Sequence, residues 1–196
     1  MCSSDLQPLL FPARKKEIAM IRALDHIVIL VNDLDAAIAD YTALGFTVAP
    51  GGTHADGATH NALVVFADDT YLELIAFLRD APEHHWWRHA AEGEGLIDYA
   101  LLPDAIAEDV AAARERGLAI EGPNDGGRLR PDGVRVAWQT ARPADRGLPF
   151  LCADVTPRDE SAGEDAPIDA RLDAGADLAF PNVNLAELRW KRKHQR

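Results

Sequence analysis

Residues 24–37 read Leu24-Asp25-His26-Ile27-Val28-Ile29-Leu30-Val31-Asn32-Asp33-Leu34-Asp35-Ala36-Ala37, and a change of period inside them decides the fold. Residues 24–31 are rich in β-branched and apolar side chains, which predicts a buried strand with one imidazole, His26, in its middle. Asn32-Asp33 offers an N-cap. From Leu34 onward the apolar residues Ala37, Ile38, Tyr41 and Leu44 recur at three- and four-residue spacing, one face of a helix that Gly45 stops. Phe46–Ala49 reads as a short strand broken by Pro50-Gly51-Gly52. A polar loop, 53–59, leads to strands over 61–66 and 71–77, separated by the turn Asp68-Asp69. The unit is β-α-β-β-β.

The unit recurs. Leu96–Leu102 predicts a strand, Asp104 caps a helix carrying Ile106, Val110 and Ala113, and Gly117 stops it. The offset from Leu24 to Leu96 equals that from Gly45 to Gly117. Repetition of a whole supersecondary unit in phase is stronger evidence than any single motif. Residues 118–120, 134–139 and 150–155 complete the second unit, with Gly126–Gly133 as the loop before its third strand. The modules span about 22–80 and 94–157 of one domain, 21–157. Residues 1–20 read as a disordered or artefactual extension, with Met20 as the natural start, and 158–196 as a weakly ordered tail with a docking segment at 180–190.

Composition narrows the function classes. The chain has 196 residues and a formal net charge of −12, with acid spread along its length, which disfavours a nucleic-acid partner. The basic clusters Arg14-Lys15-Lys16 and 189–193 are short and terminal. No apolar run approaches the roughly 20 residues of a membrane span. The two cysteines, Cys2 and Cys152, make no disulfide framework, so a reducing cytoplasm is the expected location. No dinucleotide fingerprint, nucleophile elbow or CxxC pair is present, so no nucleotide cofactor is expected.

Two β-α-β-β-β units in one chain resemble the vicinal-oxygen-chelate superfamily, which includes glyoxalase I, extradiol dioxygenases, fosfomycin-resistance enzymes and bleomycin-binding proteins. The wording is similar to the glyoxalase-like branch at LDHIVILVNDLDAA (24–37), GGTHADGATHNALVVF (51–66), YLELIAF (71–77), EGEGLIDYAL (92–101) and LPFLCADVTPRD (148–159). The resemblance implies an α+β fold: two tandem βαβββ modules forming a curved, roughly eight-stranded mixed sheet around a small-molecule cleft. It implies a lyase, isomerase or dioxygenase acting on a small oxygenated molecule, or a sequestering protein of the bleomycin-resistance kind.

His26 and Glu73 occupy positions that carry ligands in metal-dependent members. The offset that relates Leu24 to Leu96 carries His26 onto Asp98, and the strand YLELIAF has its counterpart in PFLCADV, where Cys152 answers to Glu73. His26, Glu73 and Asp98 are thus the ligand set for Zn, Mn, Fe or Ni. The other reading of His26 and Glu73 is a hydrogen-bonded pair in a metal-free pocket. His60 joins them as a candidate catalytic base. His54 and Asn61 are candidate ligand contacts, although alternation does not decide whether His60 or Asn61 points inward. Trp87 and Trp138 are candidate walls, with Trp86-Trp87 at the cleft rim or against a second subunit of a homodimer. Arg128 is a candidate anion clamp. His84, His85 and His89 lack the partnering acid of a zinc-protease helix.

Overall fold

The computed structural model of the protein describes residues 21–158. The N-terminal extension, the basic clusters and the docking segment at 180–190 lie outside them. Eight strands and two helices follow in the order β1 (Ile21–Leu30), α1 (Leu34–Ala43), β2 (Ala49–His54), β3 (Thr59–Val65), β4 (Tyr71–Phe77), β5 (Gly95–Pro103), α2 (Ile106–Glu115), β6 (Ile120–Leu129), β7 (Arg135–Pro143) and β8 (Phe150–Asp154), with a 3-10 stretch at Trp87–Ala91 between the modules. The strands close into a barrel in the order β1-β4-β3-β2-β6-β7-β8-β5. Within each module the first and last strands run parallel, β1 beside β4 and β5 beside β8. The modules meet at the antiparallel pairs β1–β5 and β2–β6. This is the α+β, paired-module architecture that the sequence repeat implies.

Repetition extends to the helix ends. Gly45 and Gly117 both have positive φ, 96° and 91°. Phe46 N–H donates to the Tyr41 carbonyl at 3.0 Å, and Leu118 N–H to the Ala113 carbonyl at 3.0 Å. Each is the closing bond of a left-handed C-terminal cap. The starts differ. Asp33 accepts from Ala36 N–H at 3.0 Å as expected, whereas Asp104 is no cap: it pairs with Arg22, and Ala105 precedes α2.

Two further expectations are corrected. Pro50-Gly51-Gly52 does not end a strand; β2 runs through it with a bulge between Pro50 and Gly52. Gly52, at φ 121°, lies so close to β6 that a Cβ would stand 2.0 Å from the Leu129 carbonyl oxygen, so here glycine permits strand pairing. Likewise Gly126-Gly127-Arg128 is part of β6 rather than a loop.

Alternation along the strands separates two environments. Outside the barrel, Leu34 and Ala37 of α1 pack on Ala62, Leu74 and Ala76, while Ile106 and Val110 of α2 pack on Ile120, Ala141 and Leu151. Inside, Val28, Leu30, Ile75, Ala100, Phe150 and Cys152 form an apolar cluster with Trp86. Each large side chain fully buried this way contributes about 1.5–3 kcal/mol. The polar inward residues of β1, β3 and β4 stand beside this cluster and form the site.

Candidate active site

A cavity of about 750 Å3 occupies the barrel, lined by residues of both modules. His26 from β1, His54 from β2, Asn61 from β3 and Glu73 from β4 meet on one side of it. Asn61 donates from Nδ2 to Glu73 Oε1 at 2.7 Å. His26 Nε2 stands 3.5 Å from Glu73 Oε2, and His54 Nε2 stands 3.4 Å from Glu73 Oε1. Burial alone would raise the Glu73 pKa. The hydrogen bond from His54, the charges of His26 and His54, and the Asn61 amide outweigh it and hold the carboxyl at about 2.

The other nitrogen of each imidazole is also held. His54 Nδ1 is 2.6 Å from Thr59 Oγ1. His26 Nδ1 is 2.7 Å from Oδ2 of Asp25, which is 1% exposed. Burial would raise the Asp25 pKa, but His26 and Arg158 lower it below the ordinary carboxylate value. An ionised carboxylate only accepts, so His26 Nδ1 carries the proton and Nε2 is turned toward Glu73. Arg158 bonds the other oxygen of Asp25 and holds Asp154 Oδ2 at 2.9 Å. Strand alternation gives no hint of Asp25, because a register shift between Leu24 and His26 lets adjacent residues serve one site.

The remaining candidates divide. Trp138 lines the cavity with its ring edge-on to His54, centroids 5.8 Å apart. Arg128 is buried in the wall and donates to the Gly51 carbonyl at 2.7 Å. His60 belongs to the opposite face of β3 from the cavity-lining Thr59, Asn61 and Leu63, so the inward residue is Asn61. Trp87 packs edge-on against Phe77 outside the cavity, and its neighbour Trp86 lines it instead. His84 and His85 also line it. Burial lowers both, His85 to about 2 with the Arg142 charge adding to the effect, so both are neutral.

Asp98 does not join His26 and Glu73. It is absent from the cavity lining, and its Oδ2 accepts from Trp86 Nε1 at 2.8 Å and from Arg142 Nη1 at 3.3 Å. A constant sequence offset misplaces it, because the strand ladders set the equivalence. His26 lies opposite Tyr71 and Ala100 lies opposite Phe150, so Ala100 takes the place of His26 and Cys152 that of Glu73. Across β1–β5, His26 and Ala100 are direct partners.

Among the described residues, one trio offers metal-ligand atoms within 4.8 Å of one another: Asp25, His26 and Cys152. Its donors are committed. Both Asp25 oxygens hold partners, His26 Nδ1 carries the proton that Asp25 accepts, and burial pushes the Cys152 thiol well above its ordinary pKa, away from the thiolate that binds metals. His26 and Glu73 have the spacing of two ligands on one ion, but Ala100 and Cys152 supply no hard donor at the other two corners. The residues do not fit a complete divalent-metal site.

A barrel of paired βαβββ modules enclosing this cavity defines a member of the vicinal-oxygen-chelate superfamily. The match to the glyoxalase-like domain spans residues 24–193, and the chain belongs to that family. It extends beyond the described residues into the stretch read from the sequence as a tail. A search of curated proteins finds no match.

Among solved structures, a hypothetical protein from Staphylococcus aureus is similar at a TM-score of 0.59 and 18% identity, over 69% of this chain and 60% of that one. Methylmalonyl-CoA epimerase from Mycobacterium tuberculosis is similar at 0.53 and 20%, over 72% and 92%. The Streptomyces coelicolor methylmalonyl-CoA epimerase, solved with 2-nitronate-propionyl-CoA, is similar at 0.53 and 25%, over 70% and 100%. No helix among the described residues is long and apolar enough to cross a membrane.

Proposed function

We propose that the protein is an enzyme that acts on a small oxygenated molecule by polarising a carbonyl or enediolate oxygen at the His26–Glu73–His54–Asn61 cluster, without a metal ion. The observation that carries this reading is the convergence of two imidazoles and one carboxamide on a single buried carboxylate beside a ligand-sized cavity. A buried carboxylate persists in ionised form only where its partners offset desolvation, and a group so perturbed beside a cavity is a functional candidate.

The chemistry follows from the proton inventory. His26, fixed through Nδ1 by Asp25, offers the Nε2 lone pair as a base. It takes the proton from the carbon beside a substrate carbonyl, and the electron pair of that C–H bond moves onto the carbonyl oxygen. The second N–H of the Asn61 amide, the first being held by Glu73, meets the developing oxyanion. Glu73, held ionised, stabilises the imidazolium, and return of the proton completes an isomerisation or epimerisation. The similarity to an epimerase of 25% identity supports this class of reaction.

Proton exchange tests it. In D2O, NMR should show the wild type exchanging the hydrogen beside the carbonyl of at least one member of a panel of small ketones, 2-oxo acids and thioesters. Glu73→Gln should slow that exchange about 100-fold. Absence of exchange with every member sinks the enzymatic reading. A second reading, metal-independent sequestration, is favoured by the aromatic wall of Tyr71, Trp86, Trp138 and Phe150. Ligand binding that is tight, slow to release and indifferent to Glu73→Gln would establish it.

A further inference from the structure

Arg142 is a charged group that the proton-transfer cluster does not use. It lies at the end of β7, on the same face as Val136, Trp138 and Thr140, and lines the cavity. Its guanidinium lies over two rings set at an angle to each other, with Cζ 4.0 Å from the centroid of Phe150 and 5.0 Å from that of Trp86. Among the described residues its hydrogen bonding is confined to one contact, Nη1 to Asp98 Oδ2 at 3.3 Å. A guanidinium has five N–H donors in a planar fork, so most of this one remains uncommitted. Burial among the rings lowers its pKa, and Asp98 offsets part of that cost. The two ring contacts and the Asp98 bond hold the guanidinium in place before any ligand arrives.

We infer that Arg142 is the anchor for a carboxylate of the ligand, so that the substrate is a small oxygenated acid. The inference rests on the functional reading above for where the reacting end lies. Phe150 sets the distance between the two ends. Its ring meets the His26 ring edge-on with centroids 5.4 Å apart, and carries Arg142 at 4.0 Å. One phenyl ring therefore separates the carboxylate fork from the imidazole, the reach of a molecule with its carbonyl or hydroxyl a few bonds from its acid group. A carboxylate is favoured over a neutral polar group because it accepts two parallel N–H bonds from the fork and compensates a cation that Asp98 only partly neutralises.

The test uses small 2-oxo and 2-hydroxy acids, each paired with its methyl ester, with binding to the full chain followed by saturation-transfer NMR and calorimetry. At least one acid should bind more than about 10-fold tighter than its ester. Arg142→Met should remove that preference while leaving ester binding and the melting temperature near wild type. Asp98→Asn, which removes the competing negative charge, should tighten the acid a few-fold. Equal binding of acid and ester, no acid bound at millimolar concentration, or a folded Arg142→Met that keeps the preference would each overturn the anchor.

The two proposals fail separately. Acids bound through Arg142 with no proton exchange leave the anchor standing and remove the enzymatic reading. Exchange that depends on Glu73 but ignores Arg142→Met does the reverse.

Discussion

The two modules share a backbone and differ in what they turn inward. In the first, the ladder positions of β1, β3 and β4 hold His26, Asn61 and Glu73; in the second, the matching positions of β5, β7 and β8 hold Ala100, Trp138 and Cys152. Tyr71 is matched by Phe150, and Val65 by Arg142. The histidines and the carboxylate of the His26–Glu73 cluster are gathered on one module, while the other supplies an aromatic wall and the cations Arg128 and Arg142. Even the spacing devices repeat. A Cβ on Gly51 would stand 2.0 Å from Asn61 Oδ1, and one on Gly126 would stand 2.4 Å from Trp138 Nε1. Each matched side chain therefore rests on a glycine of the neighbouring strand. Duplication keeps what the sheet needs for closure, and leaves inward positions free to diverge because they face a cavity rather than a packed layer.

The sharpest way to break this comparison is to remove each module's carboxylate partner of an arginine. Asp25→Ala leaves the buried His26 Nδ1 without its acceptor, takes from Arg158 one of its two carboxylate partners, and should cost about 3–5 kcal/mol in denaturant unfolding. Asp98→Ala disturbs a partly exposed pair and should cost about 1 kcal/mol or less. Equal losses would mean that the first module's cluster is no more tightly integrated than the second's.

Acid titration of stability comes next. Glu73 sits at about 2 when folded and near 4.5 when unfolded. Its contribution, roughly 3 kcal/mol, is fully present above pH 4.5 and is lost as pH falls toward 2. Glu73→Gln should flatten that part of the stability–pH curve, whereas Cys152→Ala at the matching position should leave its shape unchanged. The same pair separates the modules in catalysis: proton exchange should fall about 100-fold in Glu73→Gln and stay within a few-fold in Cys152→Ala.

Glycine props give a smaller effect. Gly51→Ala and Gly126→Ala should each destabilise by about 1–3 kcal/mol through overpacking, but only Gly51→Ala, which displaces Asn61, should also slow exchange. The smallest expected effect is that of chelator. Protein purified without affinity histidines should hold well under one equivalent of transition metal by elemental analysis, with exchange unchanged by EDTA. A stoichiometric metal lost in His26→Ala would restore the chelate mechanism and assign the second module a ligand role that its donors do not suggest.

Much of the fold is legible in the sequence because it rests on local rules. The strand-to-helix change of period at 24–45 and the matching glycine stops, Gly45 and Gly117, both hold in the structure, and the modules close as that repeat implies. Arg142 carries a sequence signal of its own: it lies four residues past Trp138, which strand alternation puts on the same face. Gly51-Gly52 misleads because a glycine that breaks a strand and one that admits close approach look alike without the neighbouring strand.

The sequence alone determined the two βαβββ modules, since the period of apolar residues and the need of a cap for a left-handed turn are properties of a few consecutive residues. It also determined that His26 and Glu73 sit mid-strand. Tertiary structure decided which of His60 and Asn61 faces inward, that a bulge brings Asp25 beneath His26, and that Ala100 rather than Asp98 stands opposite His26. These depend on register between strands far apart in the chain, and a slip by a single position exchanges every inward side chain for its outward neighbour.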